Sequence, residues 1–107
     1  MSGAPLLYEV NLFVEAALAD EFGAWLDAHV RAIRALPGFT AAQVLVPREP
    51  AAADGEVAFC CHYHLRDRAV FDAYLRDHAP AMRADGLARF GGRFRAERRV
   101  LERIADC

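Results

Sequence analysis

Hydrophobic spacing along the 107-residue chain switches repeatedly between a period of two and a period of three to four. The order of those switches constrains the fold more than any motif does. Residues 8–14 alternate, with Tyr8, Val10, Leu12 and Val14 on one side and Glu9, Asn11 and Phe13 on the other, which predicts a strand with one apolar face. From about residue 17 to 36, Leu18, Phe22, Trp25, Leu26, Val30, Ile33 and Leu36 recur at the spacing of an amphipathic helix. Pro37-Gly38 ends it, because proline cannot continue the hydrogen-bonded ladder and glycine accepts a reversed backbone. Residues 39–46 and 56–65 predict a second and a third strand, joined by a flexible 47–55 connection with turn chemistry at Asp54-Gly55.

Asp67 has the side chain to cap a second helix over residues 68 to about 78. Ala79-Pro80 interrupts that helix, since the residue before a proline avoids helical angles while proline suits a first helical turn. A kink, or a new short helix over residues 80–89, follows from this. Gly91-Gly92 closes it, and residues 93 to about 101 predict a fourth strand. Residues 1–7 are left as a leader. The order is therefore βαββαβ within a single domain, residues 1–107. Split βαβ units of this kind build a ferredoxin-like α+β fold, a four-stranded antiparallel sheet with two helices on one face.

Composition narrows the function classes. Apolar residues make up 55% and charged residues 26%, which fits a folded domain rather than a disordered tail. No apolar run approaches the roughly 20 residues of a membrane helix, and the N-terminal residues lack the basic and apolar segments of a signal peptide. A net charge of −2 argues against a nucleic-acid binder held by phosphate contacts, so no nucleic acid is expected, and with no spanning run no membrane either. All 13 basic residues are arginine. The cysteines are Cys60, Cys61 and Cys107; an odd count with an adjacent pair is no disulfide framework and points to the reducing cytoplasm.

With both helices on one face, the other face of the sheet stays bare. If Val10, Leu12, Phe59, Cys61, Tyr63 and Leu65 face the helices, the bare face shows Glu9, Asn11, Phe13, Gln43, Leu45, Cys60, His62 and His64. In the fourth strand Arg93, Arg95, Glu97 and Arg99 alternate with Phe94, Ala96, Arg98 and Val100, and the pattern leaves open which set faces the helices. Apolar side chains among polar ones on the bare face suit an interface between two copies of the chain, a homodimer closed through the open sheet face.

The stretch Tyr74-Leu75-Arg76-Asp77-His78-Ala79-Pro80-Ala81-Met82-Arg83, followed by Gly86-Leu87-Ala88-Arg89-Phe90-Gly91-Gly92-Arg93-Phe94, resembles the C-terminal signature of a bacterial family of unknown function. Tyr8-Glu9-Val10-Asn11, Trp25 with His29 one turn on, and Pro37-Gly38-Phe39 extend the resemblance over residues 7 to 104. The resemblance implies the ferredoxin-like fold of the dimeric α+β barrel group, which includes antibiotic-biosynthesis and haem-degrading monooxygenases, muconolactone isomerase-like proteins and dye-peroxidase-like domains. It brings no reaction with it. The monooxygenases there use an Asn on the first strand and a Trp in the second helix. Asn11 matches the first, and Tyr74 stands in place of the second. The haem-degrading branch adds an iron-ligating His ten residues further, where this chain has Ala84.

Three expectations follow. The first is a homodimer binding a small aromatic or polyketide-like molecule between helices and sheet, in a pocket lined by Trp25, His29, Tyr74 and His78. On the plainer reading the histidines are packed residues satisfied by backbone carbonyls and the aromatics are core. The second is a cofactor-independent monooxygenase or isomerase working through Asn11, Tyr74 and His78. The third is a metal- or haem-binding protein using His62 and His64 with Glu9, or His78. Alternate residues on one face of a strand lie about 6.6 Å apart, so neighbouring histidines there can share an ion, whereas Cys60 and His64 cannot easily do so. The plainer reading of this face is hydrogen bonding across an interface. No resident cofactor is expected.

Overall fold

The computed structural model describes residues 3–107; residues 1 and 2 of the predicted leader lie outside the described residues. Strands β1 (Leu6–Glu15), β2 (Phe39–Leu45), β3 (Glu56–Leu65) and β4 (Phe94–Glu102) form one antiparallel sheet in the order β2-β3-β1-β4. Helices α1 (Ala19–Arg34), α2 (Arg68–Asp77) and α3 (Ala79–Phe90) cover one face. The predicted ferredoxin-like fold is the one observed. The molecule is only 18 Å deep in its shortest dimension, one layer of helix on one layer of sheet, and the second sheet face is uncovered. Among the described residues no helix is long and apolar enough to cross a membrane.

Local sequence explains each element. Phe22, Leu26, Val30 and Ile33 form the buried stripe of α1, with Asp20 and Glu21 in its first turn and Arg31 and Arg34 in its last, each charge favourable to the helix dipole. The Asp67 carboxylate accepts from the Val70 backbone N–H at 3.1 Å, the cap that starts α2. The expected interruption is a full break: His78 leaves the helical range at φ −128°, and α3 begins at Ala79 with Pro80 in its first turn. The helix layer therefore holds three α-helices rather than two. Strand β1 starts two residues earlier than its alternation suggests, and a 3-10 turn at Gly91–Arg93 delays β4 by one residue.

The core lies between helices and sheet. Leu6, Tyr8, Val10, Leu12 and Val14 of β1 and Cys61, Tyr63 and Leu65 of β3 point into it, against Phe22, Leu26, Phe71 and Tyr74. The register pairs Val10 with Cys61 and with Arg98, and Leu12 with Ala96, so Phe94, Ala96, Arg98 and Val100 are the helix-facing set of β4. This settles the face left open by the sequence. Arg95, Glu97 and Arg99 lie on the open face beside Leu7, Glu9, Asn11 and Phe13. Strand β4 is an edge, and the arginines in it and just before it are largely paired: Arg93 with Glu15, Arg95 with Glu56 and Glu97, Arg99 with Glu9. Charges in that position also discourage edge-to-edge association.

Candidate functional site

The four residues expected to line one pocket are divided between two. Trp25 on α1 faces a cavity of about 300 Å³ between α3 and β4, walled by Leu12, Met82, Gly86, Phe94 and Ala96 with Arg83 and Arg98 among its lining residues. Tyr74 and His78 line a separate depression of about 320 Å³ with Leu36, Pro37, Phe39 and Val70. His29 lines neither; its ring stacks on Trp25 with centroids 4.5 Å apart. Trp25 lies midway along α1 and packs on Phe22 and Phe90, whereas Tyr74 packs against Phe39 and Tyr8, so the two belong to different parts of the core.

The trio Asn11, Tyr74 and His78 is not assembled either. Asn11 has odd parity on β1 and lies on the open sheet face, where its amide donates to Glu9 Oε2 at 3.3 Å. Tyr74 is buried on the helix face, its ring 6.1 Å from that of Tyr8, and burial pushes its phenol up to about 12. Within one chain the sheet stands between Asn11 and Tyr74.

Trp25 is held from three sides. Its indole N–H donates to Asp85 Oδ2 at 2.8 Å, Phe22 packs on it at 5.4 Å, and His29 covers it. Gly86 lets α3 approach this ring: a Cβ there would lie 3.0 Å from Trp25 Cη2 and 3.5 Å from Phe94 Cζ. Arg89 holds the same Asp85 carboxylate at 3.2 Å. The cavity wall is therefore a fixed aromatic surface. Arg83 and Arg98 beside it have no carboxylate within 4.0 Å among the described residues; Arg83 donates only to the Tyr8 hydroxyl at 3.2 Å. The sequence alone left the facing of Arg98 open and gave Arg83 no role. The signal was parity, since a helix-facing position of β4 brings Arg98 to the rim of the α3–β4 cavity, where it stays exposed.

The imidazole of His29 is held below its ordinary pKa of 6.5 by burial, with Asp85 partly opposing. The neutral ring then contributes stability that is present above pH 6.5 and is lost as pH falls through the lower folded value, because the unfolded chain binds the proton first. A protonated imidazole stacked on indole quenches its emission. Fluorescence of the single tryptophan is expected to fall on acidification with a midpoint below 6.5, and His29→Asn to abolish that transition. A midpoint above 6.5 contradicts the burial.

On the open face, His62 and His64 diverge. His62 Nε2 lies 3.2 Å from Glu9 Oε1 on β1, whereas His64 Nε2 lies 2.9 Å from Gln43 Oε1 on β2. The ligand atoms that converge, all within 4.8 Å of one another, belong to Glu9, Cys60 and His62. Cys60 thus takes the place expected of His64. Glu9 is 8% exposed, and its other oxygen accepts from Arg99 Nε at 2.6 Å. The Arg99 hydrogen bond, helped by His62 and Asn11 against the opposing effect of burial, holds its carboxyl down to about 2.

Fold and site together define a ferredoxin-like α+β protein, with an apolar cavity between α3 and β4 and a polar cluster on the bare face. Residues 5–104 match the model of DUF4286, a domain of unknown function, and the chain belongs to that family. Solved structures share the fold. SnoaB, a cofactor-independent oxygenase from Streptomyces nogalater, is 17% identical over 96% of this chain and 97% of its own, with TM-score 0.70. A putative antibiotic biosynthesis monooxygenase from Deinococcus radiodurans is 14% identical over 95% of both chains, with TM-score 0.74. The haem degrader MhuD from Mycobacterium tuberculosis, solved with two haems bound, is 22% identical over 94% of this chain and 98% of its own, with TM-score 0.62. No curated protein matches the chain.

Proposed function

We propose that the protein is a small-molecule-binding homodimer whose ligand is a planar aromatic anion seated between α3 and β4. The observation that carries this reading is the pair of unneutralised guanidinium groups, Arg83 and Arg98, beside an apolar cavity walled by Trp25 and Phe94. An aromatic body gains from burial against Leu12, Met82 and the indole. A carboxylate or phenolate gains a charge-assisted hydrogen bond from arginine, and the lack of an internal carboxylate leaves those donors available. This is the aromatic or polyketide-like ligand class read from the sequence, carried by Trp25 but with Arg83 and Arg98 in place of His29, Tyr74 and His78.

Trp25 is the single tryptophan and reports on its own site. Titration with naphthoate is expected to change its emission saturably, the neutral naphthalene methanol to bind more weakly, and Arg98→Ala to weaken naphthoate about tenfold. No saturable change, or equal affinity in Arg98→Ala, contradicts the reading.

The dimer reading rests on the open face, where Leu7, Phe13, Leu45 and Leu101 lie among charged groups and Leu45 is 43% exposed. Light scattering is expected to give twice 11.8 kDa, and Phe13→Asp to give the monomer mass. A monomeric parent protein contradicts it. Three unpaired cysteines, Cys60, Cys61 and Cys107, are in keeping with a cytoplasmic location.

A further inference from the structure

The open sheet face carries a cluster that the cavity on the opposite face does not use. We propose that Glu9, Cys60 and His62 form a zinc site on this face, with a fourth position that these three residues leave unfilled.

The sheet register builds it. Glu9 and His62 are direct partners across β1 and β3, and Cys60 lies two residues from His62 on the same face of the same strand. Nothing distant has to fold over the sheet for three donors to meet. Their spacing matches a tetrahedron: with Zn–N and Zn–O of about 2.1 Å and Zn–S of about 2.3 Å, ligand atoms lie about 3.4 Å apart for N and O and about 3.6 Å for S and O. His62 Nε2 lies 3.2 Å and Cys60 Sγ 3.8 Å from the same oxygen, Glu9 Oε1.

Glu9 is oriented for the task. Its Oε2 is occupied by Arg99 at 2.6 Å and Asn11 at 3.3 Å, which leaves Oε1 turned toward Cys60 and His62. A ligating carboxylate commonly has such a hydrogen-bonded outer partner. Glu9 is 8% exposed, so little bulk water competes for it. The cation's two positive charges meet one carboxylate and one thiolate, with His62 neutral and Arg99 adding one positive charge at Glu9, so binding releases one proton from the Cys60 thiol. A thiolate and an imidazole in the set select zinc over the hard cations calcium and magnesium. Three protein ligands leave the fourth position free, the arrangement of sites that activate water or bind a donor rather than of closed structural sites.

Cobalt is the probe, because a bound thiolate gives a sulfur-to-cobalt charge-transfer band and a tetrahedral site gives strong visible bands. The parent protein carries Cys107→Ser, which removes the exposed thiol and leaves Cys61 buried. One Co²⁺ per chain is expected, with the sulfur band, and Zn²⁺ is expected to displace it and remove the colour. Cys60→Ser is expected to lose the band. His62→Gln and Glu9→Gln are expected to weaken binding by about tenfold or more, and His64→Gln to leave it unchanged. Zn²⁺ is also expected to protect Cys60 from alkylation in the parent protein, a readout that needs no site variant. Absence of the sulfur band, its survival in Cys60→Ser, an unprotected Cys60, or equal weakening by His64→Gln each overturns the site. None of these readouts depends on the aromatic cavity.

Discussion

Phe22→Ala is expected to destabilise the protein by about 3–5 kcal/mol, the largest loss from any single side chain considered. Phe22 is 0% exposed and is the hub of an aromatic cluster, with ring centroids 5.4 Å from Trp25, 6.0 Å from Phe59, 4.9 Å from Phe90 and 5.2 Å from Phe94. These rings come from α1, β3, α3 and β4, so truncation leaves a cavity where the helix layer meets the sheet. Against a typical total of about 5–15 kcal/mol, that loss is a large fraction of what holds the domain folded. Urea unfolding should show the midpoint falling at an unchanged slope, whereas Phe22→Leu, which keeps most of the volume, should cost about 1.5 kcal/mol or less. A loss below about 1 kcal/mol for the alanine variant contradicts the packing described. The consequence for function is direct, because Phe22 backs the indole that walls the cavity.

Gly38→Ala is expected to cost about 2–4 kcal/mol, from two separate causes. Gly38 has φ +85°, a backbone region that side chains disfavour, and its turn is fixed where its carbonyl accepts from the Arg66 N–H at 2.9 Å. A Cβ there would also collide with Val70, lying 2.7 Å from Cγ1 and closer still to Cγ2. Gly55 separates the causes: it has φ +82° but nothing within 4 Å of its Cβ position. Gly55→Ala should therefore show the backbone cost alone, about 1 kcal/mol. Adding Val70→Ala to Gly38→Ala should recover much of the collision cost. Equal losses in Gly38→Ala and Gly55→Ala contradict the close approach of α2 to this turn.

Much of the fold was legible in sequence because its determinants are local. Alternation over residues 8–14 placed Glu9, Asn11 and Phe13 on the open face, and the stripe through Phe22, Leu26, Val30 and Ile33 placed α1 against the sheet. Ala79-Pro80 marked the break between α2 and α3, because proline acts on its own neighbours. The site residues were less legible, because they depend on register. Whether Glu9 meets His62 or His64 is set by how β1 and β3 align, and that alignment is fixed by core packing of Val10 against Cys61 rather than by any local signal. One residue type chosen from the right strand, His64, turned instead toward Gln43 on the far neighbour β2. The shared pocket expected of Trp25 and Tyr74 is not formed, because the two line different depressions. The two residues answer to different layers of the core, Trp25 to Phe90 and Gly86, Tyr74 to Phe39 and Tyr8. Arg98 gained its meaning only when the parity of β4 was known.

These positions also explain why likeness to oxygenases does not transfer a mechanism to this chain. Asn11 and Tyr74 lie on opposite faces of the sheet, so the pair expected to work together is not assembled within one chain. What the chain does share is the layered fold; in this chain the space between α3 and β4 is lined by Trp25, Arg83 and Arg98.

The measurement that tests the binding account most directly is a proton–nitrogen correlation spectrum during titration with naphthoate. The indole N–H of Trp25 gives one isolated resonance, since it is the single tryptophan. The account predicts saturable shifts of that resonance together with the amides of Gly86 and Ala96, which line the cavity, and weaker shifts in Arg98→Ala. Shifts confined to the Tyr74 and His78 depression or to the open face around Cys60 and His62, or no shifts at all, would contradict it.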